Sequence, residues 1–317
     1  MKAVISKTKK MQKAERTKDS IYDLPLTVKI IAYTITTLFA LACLYPFLLT
    51  ISASFTDEAA IMAEGYKLIP SKWSLEGYRY IFRNSNQIFW SYGVTLVSTL
   101  MGTFGNLLLS ALYAYTISRP TFPWKTQFTF FIFFTTLFHG GMLPNYIINT
   151  QYYQLRDTLW ALVLPGMLSA MHIIMMRTYM QTSVPEAVIE SARIDGAKEF
   201  RCFWNIVLPM SIPIMATMAM FTVTAYWNNW NRAFLYIVTN TKLIPIQLLL
   251  MRLENEVRFL EENAESFGTA ADAVKQNLPG ETFRMGLVVV VVLPIVVTYP
   301  FFQQYFVNGI TVGAVKG

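Results

Sequence analysis

Six stretches of the 317-residue chain hold no Asp, Glu, Lys or Arg: Ile30–Thr56, Asn84–Ser118, Thr126–Leu155, Thr158–Met176, Cys202–Asn231 and Met285–Val315. Each has at least 19 residues, and a helix needs roughly 20 to cross the hydrocarbon core of a bilayer. The pattern predicts an all-α membrane protein with six spans. Gly140, Gly141 and Pro144 interrupt the third, which is tolerable where neighbouring helices satisfy the freed backbone groups. Between the fourth and fifth stretches lies a charged island, Ser183–Pro209. Ser183 and Glu186 have the spacing of a capping box, so a helix is expected to start there. Val184, Ala187, Val188, Ser191 and Ala192 then make one small, mostly apolar face, with Glu186, Glu190 and Arg193 off it. Gly196, after Asp195, is the expected stop. A second short helix is expected from Ala197 towards Trp204. A helix-turn-helix at a membrane surface suits docking in another protein's groove.

Composition and charge sharpen this picture. Mean hydropathy is +0.39, 54% of residues are hydrophobic and 14% are charged, against about 25% charged in soluble domains. Residues 1–29 carry eight Lys or Arg against three acids. By the positive-inside rule both termini are expected in the cytoplasm, and six spans then bring Ser183–Arg201 to the same side. The basic N-terminus could be the leading region of a signal peptide, but the apolar run after it is too long and has no small-residue cleavage site. Nucleic acid is excluded as a partner because no fold surrounds the basic run to present it. Attraction to anionic membrane lipid explains it adequately.

The expected outer segments are unequal. Asp57–Arg83 is a medium loop and Gln151–Asp157 a short turn, while residues 232–284 form a long loop with clustered Glu. Within it, LLLMRLENEVRFLEENAES has i, i+4 charge pairs and apolar spacing that predict one exposed helix. An outer loop of this length is expected to contact something. At the outer end of the fifth stretch, Tyr226, Trp227, Asn228, Asn229 and Trp230 combine aromatic faces with amides. Sugars are bound by such sets, through C–H surfaces on the rings and hydroxyls on the amides. The competing reading is an interfacial aromatic belt.

Glu190-Ser191-Ala192, Asp195-Gly196-Ala197 and Ile206-x-Leu208-Pro209, at their observed spacing, resemble the EAA loop of ABC importer permeases. Ser191 stands where that family usually has Ala. Tyr45-Pro46-Phe47, Ser110–Arg119, Phe138–Tyr146, Asn149–Pro165 and Tyr299–Gly317 resemble the carbohydrate-type, maltose-like branch, closest to permeases for complex oligosaccharides such as polygalacturonan-derived ones. Asn231-Arg232 departs from that branch, where an aromatic and an acid are commoner. The resemblance implies a type I ABC importer permease fold, with a cytoplasmic N-terminus (1–29), a permease domain (30–308) and a cytoplasmic tail (309–317). It implies that Glu190, Ser191, Ala192, Asp195, Gly196, Ala197, Leu208 and Pro209 couple the chain to an ATPase, and that Gly313, Lys316 and Gly317 touch that ATPase again. The implied partners are a second homologous permease, two cytoplasmic ATPases holding ATP and Mg, an extracellular solute-binding protein that meets loop 232–284, and an oligosaccharide.

No cofactor is expected in this chain. It has no G-x-x-x-x-G-K-[ST], and the Gly-rich Phe138–Pro144 has no Lys to cradle phosphate. A secondary transporter would need Asp, Glu or Arg within the spans for ion coupling, and the six charge-free stretches hold none. A hydrolase would need a catalytic constellation, and only the isolated His139 and His172 are available. Cys43 and Cys202 have no metal or CxxC spacing and are not expected to pair.

Overall fold

A computed structural model describes residues 25–83, 86–138, 140–262 and 280–314. The helices in chain order are α1 (Leu26–Ser54), α2 (Glu58–Glu64), α3 (Glu76–Arg83), α4 (Asn86–Ser118), α5 (Lys125–Leu137), α6 (Met142–Ile147), α7 (Leu159–Val163), α8 (Ala170–Ser183), α9 (Glu186–Ile194), α10 (Glu199–Cys202), α11 (Leu208–Met210), α12 (Ile212–Trp227), α13 (Trp230–Tyr236), α14 (Ile246–Glu262) and α15 (Glu281–Ala314). Among the described residues the only β pairing is a single bridge between Thr56 and Trp73. The fold is all-helical, as the apolar pattern predicts.

Three helices, α1, α4 and α15, are long and apolar enough to cross a membrane. The other expected spans are bent pairs: α5 with α6, α7 with α8, and the run Glu199–Met210 with α12. The first break falls at the predicted glycines, with Gly141 at φ 85°. The α7–α8 pair bends by 47° and the last by 78°. That last break was not foreseen. It falls at Ser211, where Pro209 and Pro213 each remove a backbone donor, so the helix restarts instead of continuing. The fourth element also outruns its charge-free stretch. It extends through Arg177 to Ser183, so a cation does lie within this helix pair.

Helix α4 is the axis of the molecule, with α5, α7, α8, α12 and α14 packed around it. Its 33 residues make a rod of about 50 Å at 1.5 Å per residue. One face is small and polar: Ser91, Thr95, Ser98, Thr103, Asn106 and Ser110 are buried, which lets neighbours approach closely, as membrane helix packing favours. At Gly102 an added Cβ would lie 2.3 Å from the Tyr226 ring. Helix α1 is different. It packs against α15 and leaves Ile35, Leu38, Phe39, Leu44 and Phe47 exposed, a surface suited to lipid or another subunit.

The two ends of α4 carry different structures. At its start, Thr95 Oγ1 accepts from Ile246 N at 2.9 Å and Gln87 Nε2 donates to Thr241 O at 2.8 Å. These bonds hold the root of α14, the helix predicted in the long loop, whose Leu249, Leu250 and Leu253 pack inwards. The Glu58 carboxylate accepts from Glu281 N and Thr282 N at 2.8 and 2.9 Å, satisfying the first donors of α15. At the other end of α4 lies the charged island.

Gly102→Ala is expected to force Tyr226 from its seat and destabilise the chain by about 1–3 kcal/mol, the usual cost of overpacking. A thermal melt of the detergent-solubilised protein checks this, and an unchanged midpoint would contradict the close approach.

Candidate functional site

The charged island folds as a helix, a tight turn and a second helix lying at the end of α4. Its start differs from the capping-box expectation. Ser183 is the last residue of α8, and α9 begins at Glu186 with Pro185 as its flanking residue and no side-chain cap. The reason is Pro185, which disfavours helical geometry in the residue before it. Val184 is accordingly extended, at φ −108° and ψ 104°. The end of α9 follows expectation. Gly196 is left-handed at φ 83°, Gly196 N donates to Arg193 O at 3.0 Å and Ala197 N to Ala192 O at 2.9 Å. That pair of bonds is a Schellman motif, which requires the left-handed residue. Helix α10 starts at Glu199, two residues later than expected, and passes into a π-helical turn over Phe203–Val207.

The small face read from spacing is divided between core and surface. Val184, Ile189, Cys202, Phe203 and Val207 are buried with Tyr115, Met176 and Met180, and Ala192 and Ala197 pack against them. Ala187, Val188, Glu190, Ser191 and Asp195 point outwards. Ile194 is 86% exposed at the tip and Phe200 67% exposed beside it. Among the described residues nothing covers this one-sided apolar edge. Leu208 packs inwards and Pro209 is exposed in α11, between the π turn and the Ser211 break.

Two polar contacts fasten the island to the end of α4, and a further contact on each side supports them. Arg119, buried just past the end of α4, donates from Nη1 to Glu186 Oε2 at 2.9 Å, and its guanidinium sits 5.2 Å from the Tyr115 ring centroid. Tyr115 Oη donates to Glu199 Oε2 at 2.6 Å. Arg193 closes the set with Nε at 2.9 Å from Glu199 Oε1. Burial pushes the Glu199 carboxyl up, but the hydrogen bonds from Tyr115 and Arg193 outweigh it and hold the group below the usual glutamate range. Sequence reasoning missed this anchor. Glu199 lies 84 residues from Tyr115 and Glu186 lies 67 from Arg119, and only the folded end of α4 brings each pair together.

The aromatic–amide cluster is divided by the structure. Tyr226 is buried, with its hydroxyl donating to Val163 O at 2.7 Å. Trp227 is buried, with Nε1 donating to Val291 O at 3.1 Å. Asn229 caps α13 by accepting from Arg232 N at 3.0 Å. Asn228 and Trp230 remain exposed, Asn228 accepting from Gln247 Nε2 at 3.1 Å. Arg232, the residue that departs from the family pattern, donates from Nη1 to Leu162 O at 3.2 Å and lies 5.1 Å from the Tyr226 ring.

His172 is a structural partner. Asn106 Nδ2 donates to Gly166 O and Met167 O at 3.3 and 3.2 Å, while Asn106 Oδ1 lies 2.8 Å from His172 Nδ1. An amide oriented this way leaves His172 Nδ1 as the donor. His139 and the tail residues Lys316 and Gly317 lie outside the described residues. Gly313 belongs to the last turn of α15, which runs to Ala314, so the segment from Gly309 to Ala314 continues the helix instead of forming a separate tail.

A depressed carboxyl stabilises the fold above its unfolded pKa, about 4.3 for Glu, and that stabilisation is lost as pH falls through the folded value. The protection of residues 186–202 against hydrogen exchange, measured relative to the unfolded chain at the same pH, is therefore expected to be steady near neutral pH and to fall below about pH 4. Glu199→Gln should exchange faster at neutral pH, with this acid step removed. An unchanged profile in that variant would show that Glu199 does not anchor the island.

The chain is similar to known proteins in sequence and fold. Residues 120–312 match the family described as the binding-protein-dependent transport system inner membrane component. The chain is 35% identical over 280 residues to the polygalacturonan/rhamnogalacturonan transport system permease YtcP of Bacillus subtilis, covering 88% of this chain and 95% of that one. It is 28% identical to an arabinooligosaccharide transport system permease of Halalkalibacterium halodurans, covering 88% and 93%. A solved bacterial ABC transporter that imports the acidic polysaccharide alginate has a chain that superposes with a TM-score of 0.77 at 26% identity, over 88% of this chain and 96% of that one. An all-helical, multi-pass chain with a surface helix-turn-helix and matches of this extent belongs to the inner membrane component family of binding-protein-dependent transport systems.

Proposed function

We propose that this permease carries an oligosaccharide across the membrane in six spans, with α9 and α10 as the coupling element for cytoplasmic ATPases. The observation that carries this reading is the one-sided edge of Val188, Ser191 and Ile194, exposed beside a Schellman turn and anchored behind by Arg119, Tyr115 and Glu199. Docked in an ATPase cleft, that edge would bury Ile194, and the anchor would pass any movement of α9 to the end of α4. Glu190, Asp195 and Gly196 would meet the cleft through their exposed sides. Leu208 and Pro209 would join the element to α12.

The partners follow from the same reading: a second permease, two ATPases that bind ATP and Mg, and an extracellular solute-binding protein. Both termini would be cytoplasmic, with the α15 terminus and its Gly313, Lys316 and Gly317 near the ATPases. The outward face of α14, with Glu254, Glu256 and Phe259 exposed, would meet the binding protein at the opposite end of α4. Permeases named for rhamnogalacturonan and arabinooligosaccharides support an oligosaccharide as the cargo. Of the aromatic–amide cluster, Trp230 and Asn228 are free to face a sugar. Tyr226, Trp227 and Asn229 would hold them in place.

Gly196→Pro removes both the left-handed residue and a donor of the Schellman pair. Uptake of a labelled oligosaccharide should be lost, and co-purification of the ATPase should weaken, while the chain still reaches the membrane. Retained uptake with normal ATPase association would refute the coupling role. Trp230→Ala should lower uptake without loss of assembly, and unchanged uptake would leave Trp230 as an interfacial aromatic only.

A further inference from the structure

Between α5 and α8 lies a cavity of about 350 Å³ that the transport reading does not use. Phe130, Phe133 and Ile174 supply apolar walls, Thr129 lies among them, and Lys125 and Arg177 are its two cations. The helix directions order these groups. Helix α5 leaves the coupling end at Lys125, and α8 returns to it at Ser183. Both cations therefore lie nearer that end than Phe133 and Ile174 do. The furrow is cationic near the membrane boundary and apolar deeper in.

Arg177 makes the stronger demand. Its Nε is buried with no hydrogen-bond partner, and no acid lines the cavity. A guanidinium within a membrane helix pair is costly unless it meets an anion or water. An oxyanion with two or more oxygens fits its planar fork. The apolar floor excludes a small hydrated ion as the sole occupant, because it would leave Phe130 and Phe133 uncovered. A cationic mouth over an apolar furrow between membrane helices is the chemistry that recognises an anionic phospholipid.

We propose that this furrow binds one anionic phospholipid, with its phosphate between Lys125 and Arg177 and an acyl chain along Phe130, Phe133 and Ile174. The site adjoins the coupling anchor. Lys125 also lines a second cavity, of about 430 Å³, with Arg119, Gln181 and Glu186. A lipid held at Lys125 would thus brace the root of α9. The proposal rests on reading α5 and α8 as membrane-embedded.

The test uses the assembled importer, purified in mild detergent and equilibrated with equal phosphatidylglycerol and phosphatidylcholine. Retained lipid is counted by native mass spectrometry. The wild-type complex should keep phosphatidylglycerol in preference. The Lys125→Gln/Arg177→Gln variant should keep about tenfold less of it, and Arg177→Lys should keep most. Equal retention in wild type and double variant overturns the proposal. Loss of the second permease with lipid retention unchanged also overturns it, and marks the furrow as a protein interface. Should the double variant fail to assemble, the wild-type preference decides, and no preference for phosphatidylglycerol overturns the proposal. Failure of the underlying reading looks different: single cysteines placed at Phe130 and Ile174 would then be labelled by a membrane-impermeant maleimide.

Discussion

A backbone carbonyl or amide left unsatisfied in hydrocarbon is too costly to keep, and this constraint governs every broken helix in the molecule. The break between α7 and α8 shows how it is met. Carbonyls at the end of the first half-helix are taken by side chains from other elements. Arg232 takes Leu162, Tyr226 takes Val163, and Asn106 takes both Gly166 and Met167. Three elements, α4, α12 and α13, are thereby tied to one break. The 47° bend is held by hydrogen bonds instead of being left as a loose joint.

That fixation decides where α8 ends, and so where the charged island sits. Helix α8 packs along α4 and delivers Val184 and Pro185 beside Arg119. The anchor of Arg119, Tyr115, Glu186 and Glu199 then holds α9 with Ile189 inwards and Ile194 outwards. At the other end of α4, Thr95 and Gln87 hold the root of α14. One rod of about 50 Å thus links the charged island at one end with α14 at the other, the two surfaces proposed to meet the ATPase and the binding protein. A transport cycle needs such a link, because a ligand at one end can shift the other only through states that both ends distinguish.

Much of this was legible in the sequence, because the signals were local. Runs without charge fall on the three long apolar helices and the three bent pairs, and Gly196 locates the end of α9, since few other residues accept a φ of 83°. The sequence misled where neighbours compete. Ser183-x-x-Glu186 has capping spacing, yet Pro185 prevents Val184 from turning and shifts the start to Glu186. Periodicity marked the apolar side of α9 without saying how it divides, with Val184 and Ala192 meeting the chain's own core and Ala187, Val188 and Ser191 left exposed. Long-range contacts were not legible. Neither the Asn106–His172 bond nor the reach of Arg232 to Leu162 leaves a mark at any fixed spacing. The charge-free criterion also ended the fourth span at Met176, although α8 carries Arg177 onward as one continuous helix.

The central claim is that the exposed tip of α9 is buried by the ATPase. A photo-cross-linking residue placed at Ile194 in membranes containing the whole importer tests it most directly. The account predicts a cross-link to the ATPase subunit whose yield changes between nucleotide-free and ATP-bound states, while the same residue at Phe259 in α14 gives none. A cross-link to the ATPase from Phe259, or only lipid adducts from Ile194, would contradict it.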